Sequence, residues 1–300
     1  MQRRTFIRNT GLASGLLLLP GKQLLASLFN QPAYSLTPLR NDVGIFTEKG
    51  GTIAYCINKK GIAVVDTQFP EQATHLIEEI KKMSGKAFKY LINTHHHGDH
   101  SSGNIAFKGL AQKVVAHTNS LANQKSVAEK QKTTDKQLFP DTTYTDTWKG
   151  KLGKEKIKMH YFGPGHTNGD SFVHFEHANI VHTGDLVFNR RYPYIDKSAG
   201  ANIKSWILAL QKARSTFDKD TIYLFGHAFD PKKVTGNADD LIAFEDFLTK
   251  LLLFVETEVK AGKSKEEILK AKQIPGVTEW QGDGIERGLG AAYTEIAEGK

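Results

Sequence analysis

Phe88-Lys89-Tyr90-Leu91-Ile92-Asn93-Thr94-His95-His96-His97-Gly98-Asp99-His100 decides how this chain folds. The first part is a short apolar-rich run and reads as a buried strand. The second part sets four imidazoles and a carboxylate in the six residues 95–100, where the strand stops and a helix starts. Side chains two apart on an extended segment share a face, so His95 and His97 reach toward one metal ion. His96 points away from them. Asp99 and His100 follow directly and begin a turn, which aims them at a neighbouring position. Open α/β sheets place their chemistry at the carboxyl ends of strands.

The same arrangement recurs down the chain. Residues 156–162 form a strand that ends at Gly163-Pro164-Gly165 and then His166. Residues 179–183 end at Gly184-Asp185, and 221–225 end at Gly226-His227. The four clusters offer five imidazoles (His95, His97, His100, His166, His227) and two carboxylates (Asp99, Asp185). That suffices for two zinc ions, each with a place left for water, and a set without thiolate suits a catalytic zinc better than a structural one. The chain has twelve histidines in all. His75, His117, His174 and His177 read as ordinary surface or core residues, and His160 and His182, inside strands, as packing groups or supports for ligands. Asp170 and Thr167 either fix an imidazole tautomer or cap a turn.

The order and spacing of these clusters resemble the metallo-β-lactamase superfamily over roughly residues 40–230. The resemblance implies an α/β four-layer αβ/βα sandwich with metals at the sheet edge. It implies that His95, His97 and His166 hold one zinc, that Asp99, His100 and His227 hold the other, and that Asp185 bridges them. Some true β-lactamases have a cysteine in place of Asp185 and a lysine three residues on, where this chain has Phe188. Aspartate at that place is as in the glyoxalase II-like and general hydrolase branches.

The chemistry expected is hydrolysis. Zinc lowers the pKa of bound water to near ~7, and a metal pair also polarises the scissile oxygen. Asp99 is the expected catalytic group, orienting the nucleophile while binding one zinc. The substrate is a small molecule: a lactam, ester, thioester or lactone. The segment Asn189-Arg190-Arg191-Tyr192-Pro193-Tyr194 leaves a ligand-bearing strand end, and loops there usually carry specificity. Arg190, Arg191 and Tyr192 are therefore expected to bind substrate, an arginine pairing an anionic group. The competing expectation is that one arginine is solvated and the other pairs with Asp196. Two functional alternatives are a true β-lactamase and an iron-binding redox protein on the same fold.

Composition fits an exported enzyme. Of 300 residues 39% are hydrophobic, enough for one large domain. The net charge is +8, but residues 1–26 carry Arg3, Arg4, Arg8 and Lys22 and no acid. Without them 36 basic residues face 32 acidic ones, about +4, too mild to argue for nucleic acid. Arg3-Arg4-Thr5-Phe6-Ile7-Arg8 resembles a twin-arginine export signal. The apolar stretch after it, about 12–19, is too short for a stable membrane anchor. Residues 1–30 are thus expected to be signal and linker, 31–300 one hydrolase domain, and the location periplasmic or secreted. The single cysteine, Cys56, lies in an apolar run and reads as a buried structural thiol.

Along the domain, a polar linker with Pro32 and Pro38 leads to strands at 43–47, 52–57 and 62–66. A helix at 71–83 and the first ligand strand come next. A short strand at 114–116 and a polar helix to about 130 precede loop and edge strand at 131–155. A strand at 171–175 lies between two ligand strands. Helices are expected at 203–217, 240–259, 265–272 and 284–297, most of them after the last ligand.

Overall fold

The computed structural model describes residues 34–299. Fifteen strands fall into two main sheets and a small ribbon among the described residues. The first sheet holds β1 (Ser35–Arg40), β2 (Val43–Thr47), β3 (Ile53–Asn58), β4 (Gly61–Val65), β5 (Phe88–Ile92), β6 (Val114–His117) and β7 (Thr142–Tyr144), in that order. The other strands are β8 (Thr147–Leu152), β9 (Glu155–His160), β10 (Phe172–Phe175), β11 (Ile180–His182), β12 (Phe188–Asn189), β13 (Ile222–Leu224), β14 (His227–Ala228) and β15 (Thr235–Gly236). The second sheet runs β15-β13-β11-β10-β9-β8, and β12 pairs with β14. The helices are α1 (Pro70–Met83), α2 (Gly98–Ser101), α3 (Thr118–Gln131), α4 (Ile203–Thr216), α5 (Ala238–Lys260), α6 (Lys265–Ile268) and α7 (Ile285–Ala297).

Period-two alternation sorts these strands into a four-layer sandwich. In β3 and β4, Ala54, Cys56, Ala63 and Val65 face the other sheet, where they meet Ile157, Met159, Val173 and Leu224. Ile53, Tyr55, Ile62 and Val64 face the opposite way, onto Ala73, Leu76, Ile77 and Ile80 of α1. The outer face of the second sheet, with Phe172, Val181 and Tyr223, packs on Trp206, Leu210, Phe244, Leu248 and Leu289 of α4, α5 and α7. Cys56 is fully buried between the sheets and unpaired. Burial pushes its thiol pKa far up.

The linker and the helix expected at 265–272 depart from expectation, and the edge strand expected within 131–155 is found. The linker with Pro38 is in part a strand: β1 pairs antiparallel with β2, and its register shifts between Pro38 and Arg40. An edge strand tolerates proline because one side of its backbone needs no partner. The polar stretch 131–155 contains two strands, of which β8 forms the edge of the second sheet. The last helical segments are also shorter, α6 stopping at Ile268.

Strand direction gathers the site. β4 and β5 are parallel, and so are β11 and β13. β9 is antiparallel to β10 and β10 to β11, so β9 and β11 run alike. The carboxyl ends of β4, β5, β9, β11 and β13 therefore supply the loops of one sheet edge. The parallel β12–β14 ribbon sets Phe188 opposite His227.

Candidate metal centre

Three groups of ligand-type side chains lie within coordinating reach among the described residues: His95, His97, His166 and Asp185 form one, Asp99, His100 and His227 the second, and His96, His97 and Asp196 a third on the far nitrogen of His97. In the first, His166 Nε2 lies 2.8 Å from His97 Nδ1. The His95 ring stands nearly perpendicular to those of His97 and His166, with centroids 4.9 Å away in both cases. In the second, His227 Nε2 is 3.0 Å from Asp99 Oδ2 and 3.4 Å from His100 Nε2. Asp185 reaches both groups, with Oδ1 3.0 Å from His100 Nε2 and Oδ2 3.5 Å from His166 Nε2. All seven residues expected as ligands are thus brought together.

The remaining ring nitrogens are held from behind. His100 donates from Nδ1 to Asp66 Oδ2 at 2.8 Å. Asp66 also accepts from the backbone N–H and hydroxyl of Thr94, at 2.8 and 2.7 Å. The Thr94 hydroxyl in turn lies 3.0 Å from His95 Nδ1. His97 Nε2 donates to Asp196 Oδ2 at 2.9 Å, and His166 Nδ1 to the Tyr194 carbonyl at 2.6 Å. Each such bond fixes a tautomer. In the neutral tautomers that these bonds select, the nitrogens left to face inward are His95 Nε2, His97 Nδ1, His166 Nε2 and His100 Nε2, each with its lone pair free for a metal.

Such an arrangement asks for cations. Lone pairs of two imidazoles at about 3 Å repel unless a positive charge lies between them. His95 Nε2 is buried without a hydrogen-bond partner among the described residues, which is unusual for a buried polar atom. Burial, with neighbouring imidazoles, holds His95 well below the ordinary histidine range and takes His166 down to about 3, so both rings are neutral donors. Burial alone would raise Asp99, but His100 and the His227 bond bring it to about 2. Burial opposes charge on His100 as well, yet Asp185, Asp99 and Asp66 drive its pKa well above the usual value. A proton answers that demand for positive charge when no metal does. Nitrogen and carboxylate donors in two adjacent groups fit two zinc ions.

Local backbone makes room. Asp66 takes φ 64°, a left-handed conformation tolerated because its side chain is bonded on all sides. A Cβ on Gly51 would sit 2.1 Å from the His100 ring, and one on Gly226 2.0 Å from Asp185 Oδ1.

Other expected residues take varied places. Asp170 closes its own turn, accepting from the Thr167 N–H at 2.6 Å and hydroxyl at 2.8 Å, and among the described residues it makes no hydrogen bond to a ligand ring. A cavity of about 370 Å³ opens over the metal groups, lined by Asp99, Arg191, Tyr192, Tyr194 and Arg287 among others. Arg190 is directed elsewhere: its Nε pairs with Glu279 at 2.8 Å, its Nη1 lies 3.6 Å from Asp240, and its guanidinium covers the Trp280 ring. Asp196 pairs with His97 rather than with an arginine. Sequence reasoning missed Asp66 and Arg287 and gave Asp196 another partner. For Asp66 a signal existed, an acid directly after an apolar strand, as at Asp185. For Arg287, on an exposed helix turn, there was none.

Comparison with known proteins agrees with this geometry. The family model for the metallo-beta-lactamase superfamily matches residues 49–227. The metallo-beta-lactamase IND-1 of Chryseobacterium indologenes is 24% identical over 202 residues, 63% of this chain and 80% of that protein. A hydroxyacylglutathione hydrolase of Crocosphaera subtropica is 29% identical over 129 residues, 43% of this chain and 44% of that protein. Among solved structures, a metallo-beta-lactamase from Pontibacter korlensis superposes with a TM-score of 0.61 at 22% identity, covering 72% of this chain and 99% of that one. The family match takes in every one of the seven ligand-type residues, so the chain belongs to the metallo-beta-lactamase superfamily and is a metal-dependent hydrolase.

Proposed function

We propose that the protein is a dinuclear zinc hydrolase that opens an acyl bond (lactam, ester, thioester or lactone) in a small molecule bearing a carboxylate. The observation that carries this is the pair of ligand groups sharing Asp185. His95, His97 and His166 would hold one zinc, Asp99, His100 and His227 the other, with Asp185 between them. Zinc bound there supplies a Lewis acid and makes water nucleophilic at neutral pH. Asp99 lies on the cavity wall, so its carboxylate can accept a hydrogen bond from the attacking water and orient it. With a pKa of about 2 it orients that water and does not keep its proton.

Phe188 stacks on His227, 5.6 Å between centroids. It stands where some true β-lactamases carry lysine, so a lactam carboxylate needs another cation. Arg191 lines the cavity beside Tyr192 and Tyr194, and among the described residues no carboxylate pairs with it. We therefore assign anion recognition to Arg191 and give Arg190 the ion pair with Glu279. The twin-arginine segment, which lies outside the described residues, supports export of the folded enzyme.

The test is a panel of lactam, thioester, lactone and ester substrates, each offered as free acid and methyl ester, with and without chelator. Arg191→Ala should raise KM for the acid about tenfold or more and leave the methyl ester unchanged, as loss of a partly exposed charge pair implies. Equal losses on both forms would refute recognition of charge. Turnover that survives full chelation would refute the metal reading itself.

A further inference from the structure

The end of the sandwich remote from the metals carries a second concave feature. Lys86 and Lys89 lie at the start of β5, whereas the ligands follow its end, so strand length separates the two. Here the β3–β4 hairpin of the first sheet meets the β8–β9 hairpin of the second. Asn58 Nδ2 donates to the Leu152 carbonyl at 2.8 Å, and Gly153 packs against the Lys60 stem. Between them opens a groove of about 1200 Å³, whose lining includes Lys59, Lys60, Lys86, Lys89, Lys151 and Lys154. A single carboxylate, Asp42, faces these six ammonium groups. Among the described residues none of the six has a carboxylate within ion-pair distance, although lysines elsewhere, such as Lys82, Lys250 and Lys260, are paired. With residues 1–26 set aside the chain has 36 basic and 32 acidic residues, a net of about +4, so this groove, with six lysines and one carboxylate, holds more positive excess than those residues have in all.

Concentrating like charges in a concavity raises the local potential and attracts counter-ions. The groove's amides are already committed: Asn58 as above, and Asn41 Nδ2 to the His177 carbonyl at 3.2 Å. Beside Ser84 and His177, what remains to bind is the charge of the six lysines. The groove is far larger than one phosphate and open to solvent, so it has room for several linked anions. No Phe, Tyr or Trp lines it and His177 is its one ring, so it lacks the row of aromatic platforms on which successive nucleobases stack. Lysines act as point charges without the bidentate geometry of arginine, which suits a flexible chain with repeated anionic groups. Its concave shape does not match a flat bilayer.

We propose that this groove binds a linear phosphate polymer without bases and so docks the enzyme away from its metal centre. The experiment uses the full zinc-loaded chain and short-chain inorganic polyphosphate as probe, followed by titration calorimetry. Binding should weaken about ten- to hundredfold between 50 and 200 mM salt, as release of several counter-ions requires. The variant Lys59→Gln/Lys60→Gln/Lys151→Gln/Lys154→Gln should lose at least tenfold in affinity with its melting curve unchanged. A variant with equal charge removed elsewhere, Lys125→Gln/Lys130→Gln/Lys132→Gln/Lys136→Gln, should bind as the parent does. The proposal is overturned if the parent does not bind or if both variants weaken alike. It is overturned equally if anionic phosphatidylglycerol vesicles or single-stranded DNA bind the groove more tightly than polyphosphate.

Discussion

Asp66 carries three hydrogen bonds in the least accessible part of the site and touches no position a metal would take. Its work is to aim His100 and, through Thr94, His95. Asp196 does the same for His97, its own carboxylate fixed by the Ala199 N–H at 3.1 Å and by the Ser198 hydroxyl. The His97 and Ser198 bonds hold the Asp196 pKa far below the usual range against the effect of burial. Removing such outer partners typically weakens metal binding 10–100-fold. Asp66→Asn and Asp196→Asn should each lose that much zinc affinity in competition with a chromophoric chelator. Unchanged affinity in either variant would show that the ligand rings keep their aim without it.

At the scale of elements, the outer face of β9 and β10 has its own titration. His160 packs edge-on to Phe217 with a buried, unpartnered Nε2. Burial first, then Lys158, His174 and Lys149, lowers its pKa to about 4. The unfolded chain binds that proton near 6.5, so between about 4 and 6.5 it holds more protons than the fold. Stability from this group is complete above that window and is lost as pH falls through it, by no more than about 3 kcal/mol. His160→Phe should flatten this dependence: the stability difference between parent and variant, from urea melts at pH 7.5 and 4.5, should shift toward the variant at low pH. A difference independent of pH would contradict the burial argument. β9 was legible because Ile157, Met159 and Tyr161 alternate with polar residues up to Gly163, and β10 because Phe172, Val173 and Phe175 make a short apolar run. β1 was not, because its half-exposed edge carries Pro38, nor was the short, mostly polar β7, whereas β8 was legible as the edge strand expected within 131–155. The metal ligands were legible because four short clusters hold them all. Their supports were not: Asp66 lies 28 residues from Thr94 and Asp196 99 from His97, and only the fold joins them.

The whole molecule places a metal centre at one end of a four-layer sandwich and closes the cavity above it with Arg287 of α7, beyond the segment that the family model matches. No helix among the described residues is long and apolar enough to cross a membrane. If the chain is exported folded, the double variant Arg3→Lys/Arg4→Lys should stay in the cytoplasm, as cell fractionation would show. Undiminished periplasmic yield would count against that route. The central claim is that seven side chains hold two zinc ions. The direct measurement is elemental analysis of the protein loaded with zinc and freed of excess, for the parent and for His166→Ala and His227→Ala. The account predicts about two zinc ions per chain in the parent and about one in each variant, with chelator-sensitive turnover restored by zinc in the parent alone. One ion or none in the parent, or an equal content in all three proteins, would contradict it.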